Sequence, residues 1–161
     1  MNDAVVEVVE TNISNDTDLR EALNKLSPEQ KREIGARLVD NVILLNDDSR
    51  VSRAIKMAHD KEASKEELED VFKAVKRAMI DSRTRCGADC DWDDQAVHFV
   101  ARAATAVVAP EGQCAASDPL WQTVQSCRMA RNCALISKDD DSDNPEAGMQ
   151  YEIMKRYLES I

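Results

Sequence analysis

Apolar side chains recur at helical spacing along most of the chain, and no alternating run of strand type survives past residue 15. Leu19, Ala22, Leu23 and Leu26 mark a first short helix over about 16–26. Ser27, Pro28 and Gln30 form a capping-box signature with proline at the first helical position, and Ile34, Leu38, Val42 and Leu45 carry a second helix to about Leu45. Asn46, Asp47, Asp48 and Ser49 break it and cap a third, with Val51, Ala54, Ile55 and Ala58 on one face as far as His59. Ser64 and Glu67 make a second capping box; Leu68, Val71, Phe72, Val75, Ala78 and Met79 follow, and this helix is expected to end near Cys86 and Gly87. Asp91 or Asp93 caps a fifth helix from Trp92 to Ala109, stopped by Pro110. Asp118 and Pro119 open a sixth to about Ser137, and Asn144 and Pro145 a last one bearing Met149, Ile153, Met154, Tyr157, Leu158 and Ile161. These elements predict an all-α, single-domain bundle of about seven helices over 16–161, behind a flexible N-terminal tail over 1–15.

Composition agrees. Glycine and proline number four each in 161 residues, far below the roughly 12% of average usage. A sandwich or barrel would need a turn every eight to twelve residues or so. No repeat of fixed period is present.

Charge narrows the partner classes. Lys and Arg total 21 against 31 Asp and Glu, a net charge of −10. Phosphate backbones and anionic lipid repel such a chain, which argues against nucleic-acid and membrane-surface binding, whereas a basic protein is attracted. The N-terminus has no basic region leading an apolar run, and no stretch of eighteen apolar residues exists, so neither a signal peptide nor a membrane span is expected. Five cysteines at irregular positions (Cys86, Cys90, Cys114, Cys127, Cys133) then read as free thiols in a reducing compartment, and a cytoplasmic location is expected.

The fifth helix is the most distinctive element. Between Ala96 and Ala109 only His98, Arg102 and Thr105 are not apolar, and Asp94 extends their row one turn back. A helix apolar nearly all round is central and buried. Its polar row is either a ligand groove lined by Asp94, His98 and Arg102 or the solvent edge of a buried helix, with Asp94 favoured by the helix dipole.

Other chemistry is weakly encoded. Cys86 with Cys90 and Cys127 with Cys133 lack the tight spacing of a zinc knuckle and suit helix packing as small hydrophobes. Asp89, Asp91 and Asp93 resemble a calcium loop, but Asp94 and Val100 stand where its glycine and glutamate belong. Asp139, Asp141 and Asp143 fail likewise, with Asn144 and Gln150 in those places. No metal or other cofactor is therefore expected. His59 and His98 are the only histidines, no nucleophile, zinc-protease, P-loop or dinucleotide motif occurs, and a Cys90–His98–Asp94 grouping has no oxyanion site beside it. An enzyme is not expected. Trp92 and Trp121 each fall in the first turn of a helix beside acids, where they either anchor a basic partner or close the ends of the bundle.

Asp48, Arg50, Arg53, Ala54 and Ile55 fill a D-x-R-x-x-R-A-I segment, and Ala101, Ala103, Ala104 and Ala106 supply an alanine-rich later helix. Over about residues 30–135 the chain thereby resembles the Imm-5-like predicted immunity proteins of bacterial polymorphic toxin systems. The resemblance implies an all-helical protein that neutralises one cognate toxin by binding it, without catalysis. The expected partner-binding residues are Asp47, Asp48, Trp92, Asp93, Asp94 and Trp121, acids meeting a basic cleft and aromatics filling its centre. Arg50 and Arg53 are expected to hold the Asp48 turn to a neighbouring helix. The competing class is a small-molecule or metal-binding protein using the Asp94–His98–Arg102 row, and apolar residues on more than one helix face leave room for a homodimer.

Overall fold

A computed structural model describes residues 12–85, 91–114 and 116–161. Among the described residues the chain forms seven helices and no strand: α1 (Asp16–Asn24), α2 (Pro28–Asp40), α3 (Ser49–His59), α4 (Lys65–Arg85), α5 (Trp92–Val108), α6 (Pro119–Ser137) and α7 (Glu146–Ser160), with a 3-10 turn at Ile43–Leu45. Most starts are the ones the sequence signals. Ser27 and Gln30 close a reciprocal capping box on α2, and Ser64 and Glu67 do the same on α4 at 3.1 Å in each direction. Asp48, Asp91 and Asp118 cap α3, α5 and α6 through their carboxylates. Such caps each stabilise a helix by roughly 1 kcal/mol.

Two expected boundaries differ. Helix α2 stops at Asp40 instead of Leu45, because the chain is captured by its neighbours: the Asn41 carbonyl accepts from Arg131 at 2.9 Å, and Asn41 Nδ2 donates to Glu146 at 2.9 Å. The expected tail over 1–15 lies outside the described residues as far as 11. Beyond that, Ile13 is buried and Asn15 caps α1, so packing begins a few residues before the expected boundary. The predicted stop at Cys86 and Gly87 also lies outside the described residues.

The core has two parts that share α2 and α6. In the larger, α5 is the centre: Val100, Ala101, Ala104 and Val108 meet Val39 of α2, Ile55 of α3, Val75 of α4 and Ala130 of α6. Small residues on α5 allow this, since an all-round neighbourhood needs helices close on every side. Gly35 serves the same end on α2, where an added Cβ would lie 3.0 Å from Val107. The smaller part packs Leu19 and Leu23 of α1 with Ile34 and Leu38 of α2, Val124 of α6, and Met154 and Tyr157 of α7. Helix α6 runs antiparallel to α5, with Thr123 Oγ1 donating to the Ala103 carbonyl at 3.2 Å. The first turn of α5 therefore lies beside the last turn of α6.

Candidate partner-binding face

Segment 41–48 crosses over α6 and α5 between α2 and α3. Arg131 holds it at the Asn41 carbonyl, and the buried Asn46 side chain donates to the Val97 carbonyl of α5 at 2.9 Å. Asn46 Oδ1 in turn accepts from Asp48 N at 2.8 Å, fixing the turn that caps α3. These bonds bring three acidic segments to one end of the bundle: Asp47 and Asp48, then Asp91, Asp93 and Asp94 at the start of α5, then Asp139–Asp143 after α6. The last of these is set by a helix stop without glycine. Asp139 takes a positive φ of 51°, its N–H reaching the Ile136 carbonyl while Asp140 N reaches Leu135. Aspartate is among the residues that tolerate this left-handed backbone.

Three large apolar side chains are exposed at the same end. Leu44 of the crossover is 97% exposed, Trp92 44% and Ile136 38%. Leu44 continued the apolar face of α2 in no register, and the 3-10 turn presents it to solvent while Ile43 and Leu45 pack on the core. An apolar centre with a charged rim is the anatomy of a protein contact. On the α4 side of this end the charges are paired, with Arg77 on Asp81 at 3.5 Å and Arg50 joining Asp48 to Asp81 at 2.7 and 3.0 Å. Arg50 thus ties the α3 cap to α4, as expected, and its guanidinium is held charged by Asp48 and Asp81. Arg53 is exposed.

The expected residues separate into two groups. Asp47, Asp48, Trp92, Asp93 and Asp94 share the acidic end; Asp48 is committed to the cap and to Arg50. Trp121 lies elsewhere. With Thr123 opposite Ala103, it sits roughly thirteen residues, about 20 Å, along α5 from Trp92. It is flanked by cations, not acids: Arg20 stands 4.6 Å and Arg128 5.7 Å from its ring. The sequence shows Asp118 three positions earlier, but that carboxylate accepts the Trp121 backbone N–H at 3.1 Å as the α6 cap.

The polar row of α5 does not form one groove. Asp94 is exposed at the helix start. His98 is half-buried against α4, its Nδ1 3.1 Å from Ser82 Oγ. The Ser82 hydroxyl donates to the Met79 carbonyl at 2.7 Å, so His98 Nδ1 must be the donor to Ser82. Burial, with Arg102 and Arg83 nearby, lowers the His98 pKa below 6.5. Arg102, one turn on, lines a shallow hollow with Phe99, Trp121 and Met129. Thr105 is buried and bonds the Ala101 carbonyl at 2.7 Å. The row is neither a groove nor a simple solvent edge.

One cluster escapes sequence reading. His59, at the end of α3, places Nδ1 3.0 Å from Glu33 and Nε2 2.7 Å from Asp40. Glu33 and Asp40 are seven apart on one face of α2, a signal visible in the sequence only once α3 is known to lie there. Burial disfavours the charged ring, but the bonds to Asp40 and Glu33 outweigh it, and the pKa is raised.

Among the described residues, no group of His, Cys, Asp and Glu could hold a metal ion, and no helix is long and apolar enough to cross a membrane. Cys86 and Cys90, and with them the Cys90–His98–Asp94 grouping, lie outside the described residues. Cys127 is buried with its thiol aimed at the Leu38 carbonyl, and burial pushes its pKa up. Comparison with models of protein families, with characterised proteins and with solved structures finds no match.

Proposed function

We propose that the protein is a non-enzymatic binder that neutralises a basic partner protein, in the manner of the cognate toxin that the immunity-protein resemblance implies. The supporting observation is the acidic end, where three aspartate-bearing segments lie at the same end of the bundle as the exposed Leu44, Trp92 and Ile136. Aspartates there raise the encounter rate with a cationic cleft, and the apolar centre supplies the short-range contact. Binding occludes the partner's active site, with Asp47, Asp93 and Asp94 as the charged contacts. Trp121, shielded by Arg20 and Arg128, has no part in this contact.

The test compares the native chain with an Asp47→Lys/Asp93→Lys/Asp94→Lys variant as bait in the native cells, at low and then moderate salt. The native chain retains one stoichiometric basic protein, and Leu44→Asp weakens its capture further at moderate salt. The triple variant loses that protein by at least tenfold in affinity while its helical signal and melting remain. An unchanged affinity and salt dependence in the triple variant overturns the reading.

A further inference from the structure

We infer that the cavity bounded by the first turns of α2, α4 and α6 and the end of α5 binds a small amphipathic carboxylate, an apolar body carrying one anionic head. The cavity has a volume of about 540 Å³, within the roughly 300–1,000 Å³ of small-molecule sites. Leu68, Val107, Pro110 and Leu120 give it an apolar floor, and Lys31, Arg32 and Lys65 stand around it.

Arg32 chooses the head group. Its Nε is buried and has no hydrogen-bond partner among the described residues. A guanidinium N–H withdrawn from water without an acceptor is costly, and a ligand acceptor toward which the guanidinium turns in the cavity removes that cost. The Nε edge of arginine pairs with a carboxylate through two parallel bonds. On its other side Arg32 borders a hollow that also holds Glu29 and Glu33, which repel an anion, so the head group lies on the cavity side.

The surrounding charge sets the number of anionic groups. Glu69, Glu111 and Asp118 also line the cavity. Asp118 is committed, one oxygen capping α6 and the other 4.0 Å from Arg20. Lys31, Arg32 and Lys65 then face two remaining carboxylates, which leaves one positive charge and suits a monoanion over a phosphate dianion. The cavity lies at the end of α5 opposite the acidic face, so this inference is independent of the proposed partner contact.

The experiment is calorimetric titration of the full chain with decanoate below its micellar concentration, beside decan-1-ol and inorganic phosphate. Decanoate is expected to bind once per chain, decanol at least tenfold more weakly, and phosphate without measurable heat. Arg32→Gln weakens decanoate at least tenfold, and Ala109→Phe, which fills the cavity, abolishes binding. Lys31→Gln, at the rim, gives a second reading should Arg32→Gln fail to fold; it weakens decanoate severalfold. Decanol binding as tightly as decanoate, phosphate binding alone, no decanoate binding, or full affinity in Arg32→Gln or Lys31→Gln each overturns the inference.

Discussion

The two histidines respond to pH in opposite senses, because of what each ring faces. Donating to Glu33 and Asp40 at once requires both His59 nitrogens protonated, and its pKa is raised. Its stabilising effect is complete below the unfolded value of 6.5 and is lost as pH rises through the folded value. His98 is held neutral by burial, so its effect is present above 6.5 and is lost as pH falls through its lowered folded value. Ring-proton NMR titration is expected to place His59 above 6.5 and His98 below it. In melting experiments between about pH 5 and 8, His59→Gln removes a fall in stability toward high pH, whereas His98→Gln removes a fall toward low pH.

Helices α1, α6 and α7 are joined by buried polar groups as well as by the smaller apolar cluster. Glu146, with no exposed surface, accepts from Asn41 at 2.9 Å and Arg131 at 3.1 Å. One turn on, the buried Gln150 accepts from Arg128 at 2.7 Å and donates to the Val124 carbonyl. Arg128 continues to Asp16 at 2.7 Å, and Tyr151 donates to the same carboxylate. Bonding to Arg128 holds the Asp16 carboxyl below its usual range, with Tyr151 adding to the effect. Glu146→Ala leaves Arg131 Nε and Asn41 Nδ2 without their carboxylate acceptor, and a loss of about 3 kcal/mol is expected by urea denaturation. The same network explains where the sequence reading of α2 fell short. Val42 and Leu45 extend the apolar spacing of Ile34 and Leu38. Local spacing, however, carries no trace of Arg131 and Glu146, which lie about ninety residues or more away and hold Asn41 out of the helix. Where the signal was local, as at the Ser27 and Ser64 boxes or the Asp118–Pro119 start, reading and structure coincide.

Across the whole molecule charge is unevenly spread. Much of the −10 net charge gathers at one end, where Asp139–Asp143 adjoin the start of α5. Added salt screens this self-repulsion. The melting temperature is expected to rise between about 20 and 300 mM sodium chloride, and Asp140→Asn/Asp141→Asn should reduce the rise. A melting temperature that falls with salt in both proteins would mean that ion pairs outweigh the repulsion. The acids themselves were legible in the sequence; their meeting was not, because it depends on Asn46 reaching Val97 across the fold. Leu44 and Ile136 went unnoticed for the same reason, since spacing assigns each to a buried face or to none. Trp121 was misplaced because sequence neighbours show Asp118, while its ring meets Arg20 and Arg128.

The central place of α5 has a consequence for how the chain is made. A ribosome delivers α1 to α4 first, yet the apolar faces of α2, α3 and α4 are fully covered only once α5, which emerges after them, packs among them. For that interval Val39, Ile55 and Val75 have no lasting cover. The nascent half is thus a client for holding factors, and a chain arrested before Trp92 should be degraded or aggregate instead of persisting as a half-bundle. Completion of this fold waits on its interior, which arrives last but two among its helices.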